Sequence, residues 1–527
     1  MQIERVLSYE FVTVLIFTVF LTSSLFLFVY GLMQAHLVYQ YLKAKRKGRR
    51  NLAPPAASPL TEYPYVTVQL PVYNEQYVME RLIDAVARLR YPKDRLEVQV
   101  LDDSTDESVA ITARKVAEWQ QTGLDIKQIR RQQRKGYKAG ALEDALPAAK
   151  GEFIAIFDAD FVPEPDFLEK TLPAFNAPEI GMVQTRWDHL NKGYSLLTHI
   201  QSFLIDAHFS IEQAGRNACG YFINFSGTGG VWRKACIIDA GGWNSDTLTE
   251  DFDLSYRAQL KGWKFRYLEH VGAPAELPPV MSALKTQQFR WIKGIAETSR
   301  KHLGNVLTAD VSLPVKIHAA LHLSVGLVFV SAFLCSFLSI PLLLLKHQVP
   351  HMEYLYAYTS FSMLNPFFLV LFHYVATLHT QSCPADNRRA YFWRKFPFYV
   401  SFSMGIALHN AVAVLEGWSG KKSSFARTPK FNVVNPGEAV LSNVYRKVRL
   451  SPLNYLEGLM VVYYLTGALL AFVLNDFSMF PYHLMLAFGF GLVCWFSWQE
   501  MKGTSRSKKS VLRTGRRSFT VAAPGMR

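Results

Sequence analysis

Cysteine is scarce and unpatterned. The five in this 527-residue chain, Cys219, Cys236, Cys335, Cys383 and Cys494, are odd in number and never fall at CxxC spacing. That excludes a disulfide framework or a clustered zinc site and fits a reducing compartment for the soluble part. Phosphate-cradling glycine loops are missing too: the α/β region holds neither GxGxxG nor GxxxxGK followed by Ser or Thr, which argues against hydride transfer and ATP hydrolysis. Acidic residues are in deficit, 42 against 57 Lys and Arg, giving a formal net charge of +15. No folded nucleic-acid motif accompanies that excess. Long charge-free runs, by contrast, are plentiful, and half of the residues are hydrophobic. Such a chain is too apolar to be disordered and too long for one ordinary domain.

Phe11 to Tyr30 carries no charge and is long enough to cross a bilayer core of about 30 Å. No small-residue cleavage site follows it. The basic run KAKRKGRR, 43–50, follows instead, so the segment reads as an anchor with a cytoplasmic C-terminal flank. Further uncharged runs are His318 to Leu345, Tyr354 to Leu378, Pro397 to Leu415, Leu459 to Leu474 and Tyr482 to Trp498. Connections 346–353 and 474–480 carry one Lys and no Arg and belong outside. Pro397 to Leu415 has basic flanks on both sides: Arg388, Arg389, Arg394 and Lys395 before, Lys421, Lys422, Arg427 and Lys430 after. Laid in the cytoplasmic interface, it leaves every basic flank on one side. Five spans follow, with the N-terminus outside and the C-terminus inside. The tail from Gln499 holds eight Lys and Arg against Glu500 alone, which suits a disordered segment near anionic lipid. The expected division is an anchor at 1–50, a cytoplasmic domain at 51–310, a membrane region with interfacial helices at 311–498 and a basic tail at 499–527.

In the cytoplasmic part, after the linker NLAPPAASPL, strand-like runs at 65–70, 96–102, 126–130 and 153–158 alternate with helical stretches at 75–89, 106–121 and 138–148. That order implies an α/β domain with a mostly parallel, doubly wound sheet, whose ligands sit beyond the C-terminal strand ends. Polar residues collect there: PVYNE (71–75), DDSTD (102–106), RKGYKAG (134–140) and DAD (158–160). Each alone has a plain structural reading, since Asn74 and Asp106 suit helix caps and a DxD arises by chance. Four converging on one edge point to a site. Asp158 and Asp160 follow an apolar run, share one face, and need a positive partner; Mg²⁺ or Mn²⁺ bridging a substrate diphosphate supplies it. Lys138 and its basic neighbours suit the remaining phosphate charge, and Asp102 and Asp103 a ribose or base edge.

Two further stretches carry the other half of a reaction. DTLTEDFDLSYRAQLKGW (246–263) reads as a helix entered at Thr249, with Glu250 and Asp251 in its first turn; a capped surface helix is the alternative. In QQFRWIKG (287–294), Gln287, Arg290 and Trp291 share one helical face. An arginine fork beside an indole platform suits a sugar phosphate, although Trp291 as core and Arg290 as a surface charge fit the same spacing.

The set DDS, KAG, FDADF, GTGGVWRKACI, GGWNSDTLTEDFDLSYRAQLKGW and QQFRW resembles the processive membrane glycosyltransferases of family 2, which have a GT-A fold, and among them the cellulose synthase-like glucomannan and glucan synthases. The resemblance runs from about Tyr65 to Leu303 and on into the membrane part. It implies that Tyr73, Glu75 and Asp103 lie at the base and ribose, Lys138 at the phosphates, and Asp158 with Asp160 at Mg²⁺ or Mn²⁺. It also implies that Asp251 is the general base, with Glu250, Gln287, Arg290 and Trp291 at the diphosphate and acceptor sugar. FARTPK (425–430) resembles the cytoplasmic gating loop FxVTxK, which implies phosphate contacts for Thr428 and Lys430; Arg427 replaces Val, and Ser226 in NFSGTGG stands where relatives commonly read FNGT.

The implied activity is an inverting β-hexosyl transfer from UDP-glucose or GDP-mannose onto a growing polysaccharide, with the product moved across the bilayer. Aromatics such as Tyr463, Tyr464 and Trp495 suit sugar stacking, although interface belts or helix packing are the commoner roles for such residues. A glycolipid-forming transferase is the alternative. A transporter with a regulatory nucleotide domain is disfavoured, because the spans lack charged residues. The sugar, the linkage, the oligomeric state and any accessory subunit stay open.

Overall fold

The apolar runs expected as strands form the centre of a seven-stranded sheet. The structure, a computed structural model, describes residues 2–47, 62–349, 356, 362, 364–380, 387–436, 438 and 451–517. Strands β1 (Val66–Val72), β2 (Leu96–Asp102), β3 (Asp125–Ile129), β4 (Phe153–Ile156), β5 (Ile180–His189), β6 (Gly230–Arg233) and β7 (Lys264–Ala275) lie in the order β3-β2-β1-β4-β6-β5-β7. The first four are parallel, β6 is antiparallel to both β4 and β5, and β7 is parallel to β5. VTVQLPV, LEVQVLD and FIAI are buried along their length and lack the alternation of a half-exposed strand.

The helices are α1 (Gln2–Arg46), α2 (Met79–Ala87), α3 (Ser108–Gln120), α4 (Tyr137–Ala145), α5 (Phe167–Thr171), α6 (Leu196–Ala207), α7 (Ala214–Cys219), α8 (Lys234–Asp239), α9 (Glu250–Leu260) and α10 (Met281–Thr308). Then come α11 (Leu313–Leu323), α12 (Gly326–Gln348), α13 (Leu364–His379), α14 (Arg388–Gly405), α15 (Ala407–Trp418), α16 (Pro452–Val473) and α17 (Phe480–Arg517).

Strand register sets up the site. Val72 pairs with Asp102, so the loops leaving β1 and β2 start level. Ile156 pairs with Gly230, which sets the turn at Gly227 to Gly229 against the end of β4. Asn74, in the left-handed region at φ 56°, stitches the first two loops: its N–H donates to Ser104 Oγ (2.9 Å) and its side-chain oxygen accepts from the Thr105 N–H (2.8 Å). It therefore ties loops and does not cap α2. Asp106 accepts from the Ser108 N–H at 2.9 Å, where α3 begins.

One face of the sheet packs on α2 and α3. The opposite core takes in Leu142 of α4, Trp232 of β6 and Leu254 of α9, and also Tyr30, Met33, Leu37, Val38 and Tyr41 of α1. The core thus crosses the boundary expected at residue 50.

Among the described residues, four helices are long and apolar enough to cross a membrane: Glu10–Arg46, Gly326–Gln348, Pro452–Val473 and Phe480–Lys502. These make the chain an integral membrane protein. The span expected at 354–378 falls partly outside the described residues; α13, its described part, has 16 residues. The span expected from His318 starts later, because Ser324 leaves helical geometry (ψ 6°) and hands His318 to α11. The tail differs as well: α17 continues to Arg517, where the charge pattern suggested disorder. No proline interrupts the chain between Pro481 and Pro524, and Lys and Arg are good helix formers. Helices α14 and α15 meet at a 45° bend. Phe392 of α14 packs with Leu197, Ile200 and Phe203 of α6, while Glu416 of α15 pairs with Lys293 of α10 at 3.0 Å. Both ends of the bent pair therefore touch the α/β domain.

Candidate active site

Beyond the C-terminal ends of β1, β2 and β4 the loops open a cleft of about 590 Å³. Tyr73 and Glu75 reach it from PVYNE, Asp103 from DDSTD, Asp158 from DAD, Arg290 from α10, and Thr428 and Lys430 from the loop after α15. Lys138 arrives in the first turn of α4, which Gly136 and Tyr137 enter with left-handed backbone at φ 72° and 52°.

Charges in the cleft are paired closely. Lys138 Nζ donates to Asp158 Oδ1 (2.7 Å) and to the Gly227 carbonyl (2.8 Å) and lies 3.8 Å from Glu250. Burial would lower this ammonium, but Asp158, Glu250 and Asp251 raise it above its ordinary value. Lys430 Nζ meets Asp160 Oδ2 at 2.6 Å, and Arg427 meets Glu75 Oε2 at 2.7 Å. Burial pushes the Glu75 carboxyl up to about 7, with Arg427 and Lys430 opposing and Asp160 adding to the rise. Asp251, in the first turn of α9, is also raised to about 7, first by burial and then by neighbouring Glu250, with Lys138 opposing. A Cβ added to Gly227 would stand 3.0 Å from Asp251 Oδ2 and 3.5 Å from Lys138 Nζ, so the glycine keeps clear the space beside the acid and the ammonium.

The donor set fits a hard divalent cation. Asp160 Oδ1 is buried without a hydrogen-bond partner, and Asp158 stands two residues away on the same DAD turn. Among the described residues no group of three or more His, Cys, Asp or Glu gathers as a metal cage. A cation held by two carboxylates takes its other ligands from water or a phosphate, as Mg²⁺ does at nucleotide sites.

Comparison with known proteins is consistent with this geometry. The family described as glycosyltransferase-like family 2 matches residues 64–294. The probable glucomannan 4-beta-mannosyltransferase 9 of Oryza sativa subsp. japonica is 36% identical over 396 residues, covering 68% of this chain and 75% of the relative. The chain belongs to glycosyltransferase family 2. The probable glucomannan 4-beta-mannosyltransferase 7 of the same plant is 45% identical over 263 residues, 49% of this chain and 45% of the relative. Glucomannan 4-beta-mannosyltransferase 7 of Arabidopsis thaliana is 41% identical over 253 residues, 47% and 46% respectively. Against those two, the match spans about half of the relative's length. A mannosyltransferase from Pyrobaculum calidifontis, solved with GDP-Man and Mn²⁺, is 19% identical with a TM-score of 0.48, covering 76% of this chain and 100% of that one. The GT-A expectation accords with the family and with the mixed, mostly parallel sheet.

Not every residue singled out in this family 2 glycosyltransferase lines the cleft. Asp102 is buried and structural: it accepts from the Ser104 N–H (2.9 Å) and from Gln128 Nε2 (2.6 Å), which fixes the loop that presents Asp103. Gln287 is buried on α10. Trp291 lies 6.0 Å from Trp187, which also contacts Phe161 and Phe209, so it belongs to an aromatic cluster on that flank. Tyr464 is buried among Phe490 and His483 and donates to Ser336 Oγ at 3.0 Å; its surroundings are helix packing.

Three cleft residues escaped the sequence reading. Arg134 lays its guanidinium over Tyr73 at 3.4 Å and over Tyr137 at 4.9 Å. Phe425 stacks on Tyr137 at 5.7 Å and lies under Arg290 at 4.5 Å. Arg427, read in sequence as part of a basic flank and as a replacement for Val, is the partner of Glu75. Their signal was the alternation of basic and aromatic residues in RKGY and FAR, which only the fold brings together.

Proposed function

We propose that this chain is an inverting membrane glycosyltransferase that polymerises a β-linked hexosyl polysaccharide. Mannosyl transfer, giving β-mannan or glucomannan, is the reading favoured by the relatives' activity, and it selects GDP-mannose over UDP-glucose as donor. The observation that carries the proposal is the convergence, in one cleft, of Tyr73, Asp103, Lys138, Asp158 and Arg290 beside a carboxyl, Asp251, whose protonation lies near 7.

Tyr73 and Asp103 hold the base and ribose, and Arg290, Thr428 and Lys430 bind the diphosphate. Asp158 and Asp160 hold Mg²⁺ or Mn²⁺, which when bound neutralises the leaving diphosphate. Lys138, shared between Asp158 and Glu250, adds positive charge where the bond to phosphate breaks. Asp251 takes the proton from an acceptor hydroxyl as its oxygen bonds to the sugar C1 and the diphosphate departs from the opposite face. Glu75, with Arg427, supports the floor under the base. The domain faces the cytoplasm, with the N-terminus outside; contact of both ends of the α14–α15 pair with the α/β domain supports an interfacial placement.

Incubating the purified chain with Mn²⁺ and labelled GDP-mannose or UDP-glucose tests the reading. Polymer that resists organic extraction and yields to a β-mannanase is expected. Label that moves into the lipid extract instead would establish the glycolipid-forming reaction and overturn the polymerase.

A further inference from the structure

Helix α10 does more than present Arg290. Past Trp291, the residues Gly294, Glu297, Thr298, Lys301 and His302 continue the same helical face in steps of three and four. Each of the five meets α9 or the loop that leads into it. Glu297 Oε2 accepts from the Leu248 N–H at 2.8 Å, and the Thr298 and Thr249 hydroxyls lie 3.4 Å apart. A Cβ added to Gly294 would stand 2.9 Å from the Thr249 nitrogen, so α10 leaves no room for a side chain where it crosses the start of α9. Lys301 bridges Asp246 and Asp253, each at 2.8 Å. His302 Nε2 donates to Asp253 Oδ1 at 2.7 Å, and Asn305 offers its amide to the other ring nitrogen at 3.4 Å.

Asp253 stands two residues beyond Asp251, about 200° further round α9. Its side chain is wholly buried, with Oδ2 taken by Arg257 Nε at 2.8 Å and Oδ1 by His302 and Lys301. Its partners are the protein's own donors, so its influence on the reaction passes through the helix it fixes. Of the three donors, Arg257 belongs to α9 itself, and Lys301 is partly exposed and shared with Asp246. His302 is the buried donor that ties α9 to another element. Resting on the reading of Asp251 as general base, we propose that His302, through its bond to Asp253, is a positioning residue that sets the rotation of α9 and hence the aim of Asp251. One rigid helix then carries both Arg290 at the diphosphate and the contact that orients the base. A misplacement of about 1 Å costs about 10²-fold in rate.

The test is turnover of the 527-residue chain in detergent with Mn²⁺ and labelled GDP-mannose or UDP-glucose, expressed per donor-binding site as counted by titration with GDP or UDP. His302→Leu removes the donor, His302→Asn keeps a polar amide that falls short of Asp253, and His302→Gln keeps an N–H near the Nε2 position. His302→Leu and His302→Asn are expected to lower turnover per site about tenfold to hundredfold with the donor KM unchanged, and His302→Gln to restore most of it. In an Asp251→Asn background the same changes should lower the residual turnover less than twofold, because a residue that acts only through the base has nothing left to position. An equal fold-loss in both backgrounds, or full turnover in the single variants, overturns the positioning role and leaves the functional reading standing. Full turnover in Asp251→Asn alone overturns the base assignment, and a wild-type chain that transfers from neither donor overturns the functional reading itself.

Discussion

Removing the carboxylate of Asp251 is the sharpest perturbation the site offers. A general base contributes about 10²- to 10⁴-fold, so Asp251→Asn should lose that much turnover while binding the donor as before. The pH dependence adds a second reading. Burial and Glu250 raise the Asp251 carboxyl from 3.8 to about 7, and the base works only when deprotonated. The acidic limb of kcat/KM should therefore sit near 7, with about a tenfold fall for each pH unit below it. Glu250→Gln removes the like charge and should move that limb to lower pH. Stability gives an opposite sign. A carboxyl whose folded value is raised favours the fold fully below its unfolded value and loses that advantage as pH climbs through about 7. At about 1.4 kcal/mol per tenfold, the interval from 3.8 to about 7 sets a ceiling of about 4 kcal/mol. Asp251→Asn should thus match or exceed the wild-type melting temperature at pH 8 while being nearly inactive. Retention of more than a tenth of the activity, or a wild-type limb near 4, would refute the base assignment.

Other expectations follow from charge and packing. Chelation with EDTA should abolish transfer, and Mn²⁺ or Mg²⁺ should restore it in the wild type but not in Asp160→Asn, read as incorporated label. Lys285 of α10 and Glu457 of α16 form an ion pair at 2.5 Å with Glu457 fully buried. Lys285→Met alone should cost about 3–5 kcal/mol by stranding the carboxylate, and Lys285→Met with Glu457→Met should recover most of it, measured by thermal unfolding in detergent. Gly489 of α17 crosses α14 so closely that an added Cβ would strike the Ser401 carbonyl. Gly489→Val should therefore cost about 1–3 kcal/mol, seen as a lower melting temperature.

Much of the parallel half of the sheet and its polar edge was readable because long buried strands announce themselves as unbroken apolar runs and then end abruptly in polar residues. The TED helix begins where Thr249 suggested. The far half of the sheet was not readable. Strand β6 has only four residues, GVWR, between a glycine-rich turn and a helix, too few for any periodicity, so its antiparallel insertion between β4 and β5 left no trace. Asp102 and Asp103 look alike in sequence; the pleat turns one inward to the Gln128 amide and the other toward the cleft. Arg134, Phe425 and Trp187 depend on partners hundreds of residues apart or on different loops, which local pattern does not encode. Helix α17 misled for another reason: positive charge was taken as disorder, although lysine and arginine sustain a helix well.

Helix α1 runs 45 residues, about 68 Å at the α-helical rise. Its two halves serve different solvents. Phe11 is 69% exposed, while Tyr30, Met33, Leu37, Val38 and Tyr41 are sealed within the α/β core. At about 1.5–3 kcal/mol for each buried side chain, those five supply about 8–15 kcal/mol, as much as the whole stability of an ordinary domain. Cutting the chain after residue 50 to obtain a water-soluble enzyme would therefore pull out a structural beam, and the remaining fragment should fail to fold.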